Sequence, residues 1–398
     1  MARQLAEKIS PAAAPGRIAL WPLFGDLLFM SATAWGGFAV MAAAERRLVQ
    51  QRGWLTPAAY ANAIALAWSM PGAVGVNALT RMGYALCGWR GAAAALLAAA
   101  APPSLCVAAF AAAYAYFGAG FSTAPIVAGL IPVICASIFS SGVNQARSAL
   151  TSRRSAALAV ASGLAIALLQ HLAVPLLSLL VCALAGIAAD RSGPSDAAAP
   201  PPARSPAPLL FLLLVAALWL PAVEPLRAGL LDLFLILARL SLSFFGGALI
   251  IVPMLQDLFV REYRWLDGTA FAAALAASQS SPGPLLSSVV FMGYTLHGWA
   301  GAGAAAAGVF VPPALAIVVC GRIVDQLMHH ARMRAAMRGV RVGVVGLTFA
   351  SAAAVAHHAS RPLWSLAIFA VALGLLQHTR LPIALLFALA GVLGWLSA

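Results

Sequence analysis

Long apolar stretches alternate with short polar connections along the whole chain. A helix needs about 20 apolar residues to cross the hydrocarbon core of a bilayer. The pattern predicts spans at 18–43, 92–118, 123–144, 155–189, 208–222, 228–253, 300–325, 339–357, 362–377 and 381–397. The stretch 155–189 is long enough for two short spans that separate near Pro175. The predicted fold class is therefore an all-α polytopic membrane protein with about 10–13 transmembrane spans.

Two further apolar regions, 57–86 and 268–297, are less regular because a proline and a glycine interrupt each of them near its middle. A broken helix at membrane depth is tolerated where its free backbone groups are buried in protein or line a watery cavity. The two regions therefore predict discontinuous helices inside the helical bundle rather than at its lipid-facing surface.

Composition supports a membrane location. The chain has 398 residues, of which 63% are hydrophobic and 9% charged, whereas a soluble domain carries about 25% charged residues. The net charge of +13 comes from basic residues that lie mostly between the apolar stretches. That placement is typical of positive-inside topology and of contact with anionic headgroups. The expected partner is a lipid bilayer, not nucleic acid, and a homodimer is compatible with the sequence.

Few residues offer cofactor or catalytic chemistry. The five cysteines are scattered without a CxxC pair, and the adjacent histidine pairs 329–330 and 357–358 do not share a helix face. The 11 acidic residues lie mostly in connections and show no nucleophile–base pair. We therefore expect no metal, no cofactor and no enzymatic activity. A membrane-embedded enzyme stays open as an alternative of another class.

A linker divides the chain almost in half. Residues 190–207 are rich in proline, alanine and serine and carry both signs of charge, which is typical of a partly polyproline-like linker. The predicted organisation is a cytoplasmic tail at 1–17, a membrane domain at 18–189, the linker, and a second membrane domain at 208–398.

The second half repeats the first. "RMGYALCGWRGAAAALLAAAAPP" at 81–103 aligns with "FMGYTLHGWAGAGAAAAGVFVPP" at 291–313, at an offset of 210 residues throughout. Upstream, "AWGGFAV" aligns with "FFGGALI", and Trp-Leu and Pro-Gly pairs follow in both halves with a one-residue shift. Each half is thus one copy of a module that contains a GG helix, a basic loop, a helix broken at Pro-Gly, and then the GY, GW-x-G and PP motifs.

Two diverged copies with matching broken helices are typical of a secondary transporter, whose binding site lies at the breaks. A helix that begins at Pro-Gly presents free N–H groups and a positive dipole end, which suit an anion. The predicted substrate-binding residues are those of the GG and Pro-Gly motifs and nearby polar groups: Gly36, Gly37, Pro71, Gly72, Asn77, Gly246, Gly247, Gln279, Ser280, Ser281, Pro282, Gly283, Pro284 and Ser288. The alternative is that these motifs only kink helices or let them approach closely.

At these motifs both halves, roughly 20–190 and 228–398, resemble the chromate transporter family in its long, two-domain form. The resemblance implies a carrier driven by an ion gradient that exports chromate across the inner membrane and confers chromate resistance. It also implies two homologous halves in opposite orientations. The first half departs from the family pattern with Trp35-Gly36-Gly37-Phe38 and Pro71-Gly72-Ala73. A sulfate-type or other anion importer or exchanger, and an anion channel, are the alternative functions.

Two charged residues inside predicted spans are candidates for transport. Arg239 lies about two turns before Gly246, and its planar guanidinium suits an oxyanion. The alternative is that it reaches an interface or pairs with Asp232. Asp26 is a candidate for carrying a coupling proton. It lies only eight residues into its apolar stretch, so a position near the headgroups is the alternative.

Overall fold

The computed structural model describes residues 18–34, 37–117, 124–169, 174–189, 229–243, 251–321, 330–356, 362–379 and 383–397. Regular structure in these ranges is helical, as the apolar pattern predicts.

The helices of the first half are α1 (Leu20–Thr33), α2 (Gly37–Ala44), α3 (Pro57–Ser69), α4 (Val74–Phe117), α5 (Ala124–Ala149), α6 (Arg153–Leu169) and α7 (Val174–Ala189). Those of the second half are α8 (Leu230–Ser243), α9 (Ile251–Gln256), α10 (Gly268–Gln279), α11 (Ser288–Val319), α12 (Ala331–Ala356), α13 (Pro362–His378) and α14 (Ile383–Leu396). Short π-helical turns at Glu45–Gln51 and Asp257–Glu262 follow α2 and α9. Helices α1 to α7 therefore match α8 to α14 in order.

Four helical segments among the described residues are long and apolar enough to cross a membrane: Val74–Phe117, Ala128–Ala149, Leu285–Val319 and Ala331–Ala356. Shorter apolar helices lie at Leu177–Ala189, Leu363–His378 and Leu385–Leu396. Many large apolar side chains, such as those of Leu105, Leu168 and Leu363, are exposed on the outside of the bundle. A surface of this kind is stable against lipid tails and not against water.

Helices α4 and α11 each fold back on themselves. The backbone leaves helical geometry at Cys87 and Gly88 in α4, and at the equivalent residues 297–298 in α11. Eight residues of straight helix would separate Gly83 from Gly91 by about 12 Å. Instead, a methyl group on Gly83 would overlap the carbonyl oxygen of Gly91. Each helix is thus a hairpin with a short arm and a long arm in glycine-to-glycine contact.

This hairpin accounts for the repeated GY and GW-x-G motifs. The first and last glycines, Gly83 and Gly91, let the arms touch, and the middle glycine, Gly88, adopts a φ of +61° that L side chains rarely take. Tyr84 packs edge-on against Trp89 with ring centroids 5.6 Å apart. The second copy repeats this arrangement, with 5.4 Å between the equivalent rings.

The two halves exchange packing partners around the crossing of α4 and α11. Helix α5 of the first half packs against α13 and α14 of the second, and α12 of the second half packs against α6 and α7 of the first. Helices α5 and α12 also pack against each other. This reciprocal arrangement gives the molecule a pseudo-two-fold relation, and the main apolar core contains residues of both halves.

Two span predictions need correction or qualification. The prediction of one continuous helix at 18–43 is wrong, because α1 ends at Thr33 and Ala34 is extended, with φ −93° and ψ 124°. Gly36 and Gly37 follow after Trp35, and glycine disfavours helix continuation. In 228–253, α8 ends at Ser243 and residues 244–250 lie outside the described ranges.

The break predicted within 155–189 is confirmed, since α6 and α7 are separate helices. The predicted span 208–222 lies outside the described ranges.

Candidate functional site

The first Pro-Gly motif separates α3 from α4. Helix α3 ends at Ser69, and α4 starts at Val74 after four buried residues, Met70 to Ala73. Gly72 has a φ of +100°, which L side chains rarely adopt. The Asn77 side-chain amide donates a 2.6 Å hydrogen bond to the Pro71 carbonyl oxygen. The break predicted here is confirmed, and Asn77 bridges it from the first turn of α4.

The second Pro-Gly motif separates α10 from α11 at the equivalent place. Helix α10 ends at Gln279, and a single 3₁₀ turn at Leu285–Ser287 leads into α11. Gly283 has a φ of +124°, again in the region that favours glycine. The described structure therefore breaks both helices where the sequence predicted discontinuity.

Each break is packed against a proline of the other half. A methyl group on Gly72 would overlap the ring of Pro313, and a methyl group on Gly283 would overlap the ring of Pro103. Pro103 and Pro313 are the second prolines of the two PP motifs. The sequence showed these motifs as part of the repeat, but their contact with the breaks was missed because it connects different halves. The two breaks are thus joined to the opposite halves by the same reciprocal contact.

Hydroxyl groups surround the second break. The Ser278 hydroxyl lies 2.9 Å from the Leu285 carbonyl oxygen and 3.0 Å from the Ser287 hydroxyl oxygen. Ser281 donates to the Ser278 carbonyl oxygen over 2.9 Å, and Ser287 donates to that of Pro284 over 2.8 Å. Ser287 was expected as a side-chain donor at this break, whereas Ser278 was not in the predicted site. The signal for Ser278 in the sequence was the serine-rich context itself, which the first break lacks.

Gln279 connects the second break to the first half. Its side-chain amide donates a 3.1 Å hydrogen bond to the hydroxyl of Ser137 on α5. Gln279, Ser280 and Pro282 to Pro284 are half-buried, whereas Ser281 is buried. Most of this segment is therefore partly exposed.

Not all the predicted residues can be placed at the breaks. Gly36, Gly246 and Gly247 lie outside the described residues, and Gly37 is the first residue of α2. Among the described residues, no group of three or more His, Cys, Asp or Glu side chains could hold a metal ion. The arrangement at the breaks can supply neutral hydrogen-bond donors and helix N-termini, which together suit an anion.

Asp26 holds the basic loop that follows α2. Its carboxylate is 2.7 Å from a terminal guanidinium nitrogen of Arg47 and 2.9 Å from Nε of Arg52. The Arg52 guanidinium also lies over the ring of Trp54, 5.1 Å from its centroid. Asp26 itself is only 6% exposed. Two charge-assisted contacts on one carboxylate favour anchoring of this loop, and proton coupling by Asp26 stays a prediction.

Arg239 lies on α8, the helix of the second half that corresponds to α1, which carries Asp26. It is half-buried on α8. Burial raises the pKa of the Tyr263 hydroxyl, Glu262 raises it further, and the positive charge of Arg239 acts in the opposite sense. Tyr263 occupies the position of Arg52 in the repeat, since both close a π-helical turn. Arg239 therefore acts electrostatically on the loop that corresponds to the one held by Asp26, and its contact with an anion stays a prediction.

The profile of one protein family, "Chromate transporter", matches the chain twice, over residues 21–187 and 231–395. The chain belongs to the chromate transporter family. The two matches agree with the two helical repeats of the structure, and the family assignment makes this a membrane-embedded member of a transporter family.

Curated relatives agree with this assignment. The chromate transport protein of Pseudomonas aeruginosa is 32% identical over 184 residues, which are 44% of this chain and 44% of that protein. The chromate transport protein of Cupriavidus metallidurans is 31% identical over 159 residues, 39% of each chain. The matches thus span less than half the length of these two relatives. The probable chromate transport protein of Synechococcus elongatus is 26% identical over 397 residues, 92% of this chain and 94% of the relative. No solved structure matches the chain.

Proposed function

We propose that this family member exports chromate, or a related tetrahedral oxyanion, across the bacterial inner membrane. The observation that carries the proposal is the pair of broken helices, at equivalent Pro-Gly motifs, each packed against a proline of the other half. Discontinuous helices in matching positions of two repeats are the usual site of substrate in secondary transporters. Family membership supplies the substrate class.

The proposed cycle is alternating access driven by an ion gradient. Because Gly72 contacts Pro313 and Gly283 contacts Pro103, a movement of one half against the other would displace both breaks together. Such coupled displacement is what a carrier needs in order to open its site to one side at a time. An anion channel would not need this coupling, and it would not accumulate its ion against a gradient.

A sulfate-type carrier is the second candidate. The described groups at the second break are neutral hydroxyl and amide donors, such as those of Ser288 and Gln279. Such donors recognise the oxygens and the charge of a tetrahedral dianion, not its central atom. Chromate and sulfate would therefore compete for the same site, and family membership favours chromate.

The test is uptake of radiolabelled chromate into everted inner-membrane vesicles that contain the protein. Export from cells corresponds to uptake into such vesicles, so we expect accumulation that requires an imposed proton gradient and falls with excess sulfate. Vesicles with Gly283→Val serve as the control, because this change blocks the break without removing a charge. Equal uptake with and without the gradient would favour a channel, and no uptake with the protein demonstrably inserted would contradict chromate as the substrate.

A further inference from the structure

The two breaks occupy equivalent places in the repeats, but their chemistry differs. Aligned at the Pro-Gly motifs, Asn77 and Ser288 occupy the same position, six residues after the proline. The Asn77 amide donates to the Pro71 carbonyl oxygen over 2.6 Å within the break that it follows. The first break is thus closed by a side chain of its own half, and it has one donor fewer to offer to a ligand.

Ser288 makes no such contact. It is fully buried at the N-terminal end of α11, and its hydroxyl forms no hydrogen bond with any of the described residues. The neighbouring hydroxyls of Ser278, Ser281 and Ser287 are all bonded within the segment. A buried hydroxyl without a partner is costly, because it has lost its bond to water and gained none in return. A ligand that accepts a hydrogen bond at this point would remove that cost.

A second hydroxyl of this kind comes from the other half. Ser104 directly follows Pro103, the proline that packs on Gly283, and its hydroxyl oxygen is buried without a described partner. The equivalent residue next to Pro313, at the first break, is Ala314. Both differences have the same direction. Ser288 and Ser104 each carry a buried hydroxyl oxygen without a described partner, whereas Asn77 is bonded within its break and Ala314 has no hydroxyl.

We propose that one oxyanion binds per chain, at the second break, with the hydroxyls of Ser288 and Ser104 as donors from the two halves. Hydroxyl donors suit such a ligand because a hydrogen bond to a charged acceptor is stronger than one between neutral groups. The first break occupies the equivalent place in its repeat and serves as a structural counterpart that binds no anion. This inference rests on the proposed function, since it assigns the place and the number of the transported ions.

The test is equilibrium dialysis of radiolabelled chromate, and separately of radiolabelled sulfate, with the purified full-length protein in detergent. We expect one bound ion per chain. Ser288→Ala should raise the Kd about tenfold, the effect of losing one hydrogen bond to a charged group, and Ser104→Ala should raise it as well. Neither change should lower the melting temperature, because neither removes a hydrogen bond within the described structure.

Ser31→Ala is the matched control. The Ser31 hydroxyl is also buried without a described partner, but it lies on α1, outside both Pro-Gly breaks, so its loss should leave the Kd unchanged. Two ions per chain, or an unchanged Kd in Ser288→Ala, would overturn the one-site inference and leave oxyanion transport standing. No binding of either ion to the wild-type protein would overturn the inference and the proposed substrate class together.

Discussion

The ring of Phe139 packs against the ring of Phe349 with centroids 4.9 Å apart, although the two residues occupy the same position in the two repeats. A residue that touches its own equivalent must lie close to the symmetry axis that relates the two copies. The pseudo-two-fold axis of this molecule therefore passes between α5 and α12. The exchanged packing of the last helices of each half follows from the same axis.

The first prediction concerns the direction of this axis. Repeats of opposite topology are related by a two-fold axis in the plane of the membrane, so we expect the basic loops after α2 and after α9 on opposite sides. Reporter fusions after Trp54 and after Trp265 measure this, with one fusion active in the cytoplasm and the other outside. Both fusions reporting the same side would mean that the halves are not inverted.

The second prediction concerns the contact between Gly283 and Pro103. Gly283→Ala should lower the free energy of unfolding by about 1–3 kcal/mol from backbone strain, with a further loss from overlap with the proline ring. In the Gly283→Ala protein, adding Pro103→Ala removes the proline ring and should relieve its overlap with the new methyl group. The backbone strain at residue 283 should remain. A double-mutant cycle on thermal unfolding should therefore give a favourable coupling energy of about 0.5–3 kcal/mol.

Gly303→Ala provides the control for this cycle. Gly303 is exposed on the long arm of α11, and a methyl group there would meet no atom within 4 Å. The change should be neutral or stabilising by about 1 kcal/mol, since alanine is the better helix former. Strict additivity of Gly283→Ala and Pro103→Ala would show that the two residues do not interact.

The third prediction concerns Arg264, which has a φ of +51° just before Trp265. The equivalent residue before Trp54 is Gly53, with a φ of +61°. The left-handed conformation costs a residue with a side chain about 1–2 kcal/mol in the folded state. Glycine avoids this cost but loses more conformational entropy on folding, which offsets part of the gain. We expect Arg264→Gly to stabilise the protein by about 0.5–1 kcal/mol in thermal unfolding. Gly53→Arg is the reverse experiment, and stabilisation by both changes would contradict this explanation.

The fourth prediction concerns the ion pairs of Asp26. Asp26→Asn removes the partner of both Arg47 and Arg52 and should destabilise the protein by about 1–3 kcal/mol. The side chains of these arginines are each 41% exposed, so the loss should diminish at high salt. Urea unfolding in detergent at two salt concentrations measures both effects.

Asp257→Asn is the comparison for Asp26→Asn. Asp257 has one local ion pair with Arg261, four residues later, and such pairs contribute about 0.3–0.5 kcal/mol. Burial raises the pKa of Asp257, and the lowering effect of Arg261 is smaller. Removal of the Asp257 charge should therefore cost little folding stability. An equal effect of the two substitutions would mean that Asp26 does not anchor its loop.

Much of this protein is determined by its sequence alone. The apolar stretches require a membrane because there is too little polar surface for water, and helices are the only open-chain elements that satisfy their own backbone in lipid. The sequence also shows the repeat, the two Pro-Gly breaks and the glycine motifs, because proline and glycine act on the backbone locally and regardless of their neighbours.

The tertiary structure decided which groups meet. The contact of each break with a proline of the opposite half, the exchange of packing partners between α5 and α12, and the pairing of Asp26 with two loop arginines all join residues that are distant in sequence. The same holds for the difference between the breaks. Asn77 and Ser288 are both small polar residues in an alignment, but only the packed structure shows that one is bonded within its own break and the other is buried without a described partner. Hydrogen bonding depends on distance and direction in space, which composition and spacing do not fix.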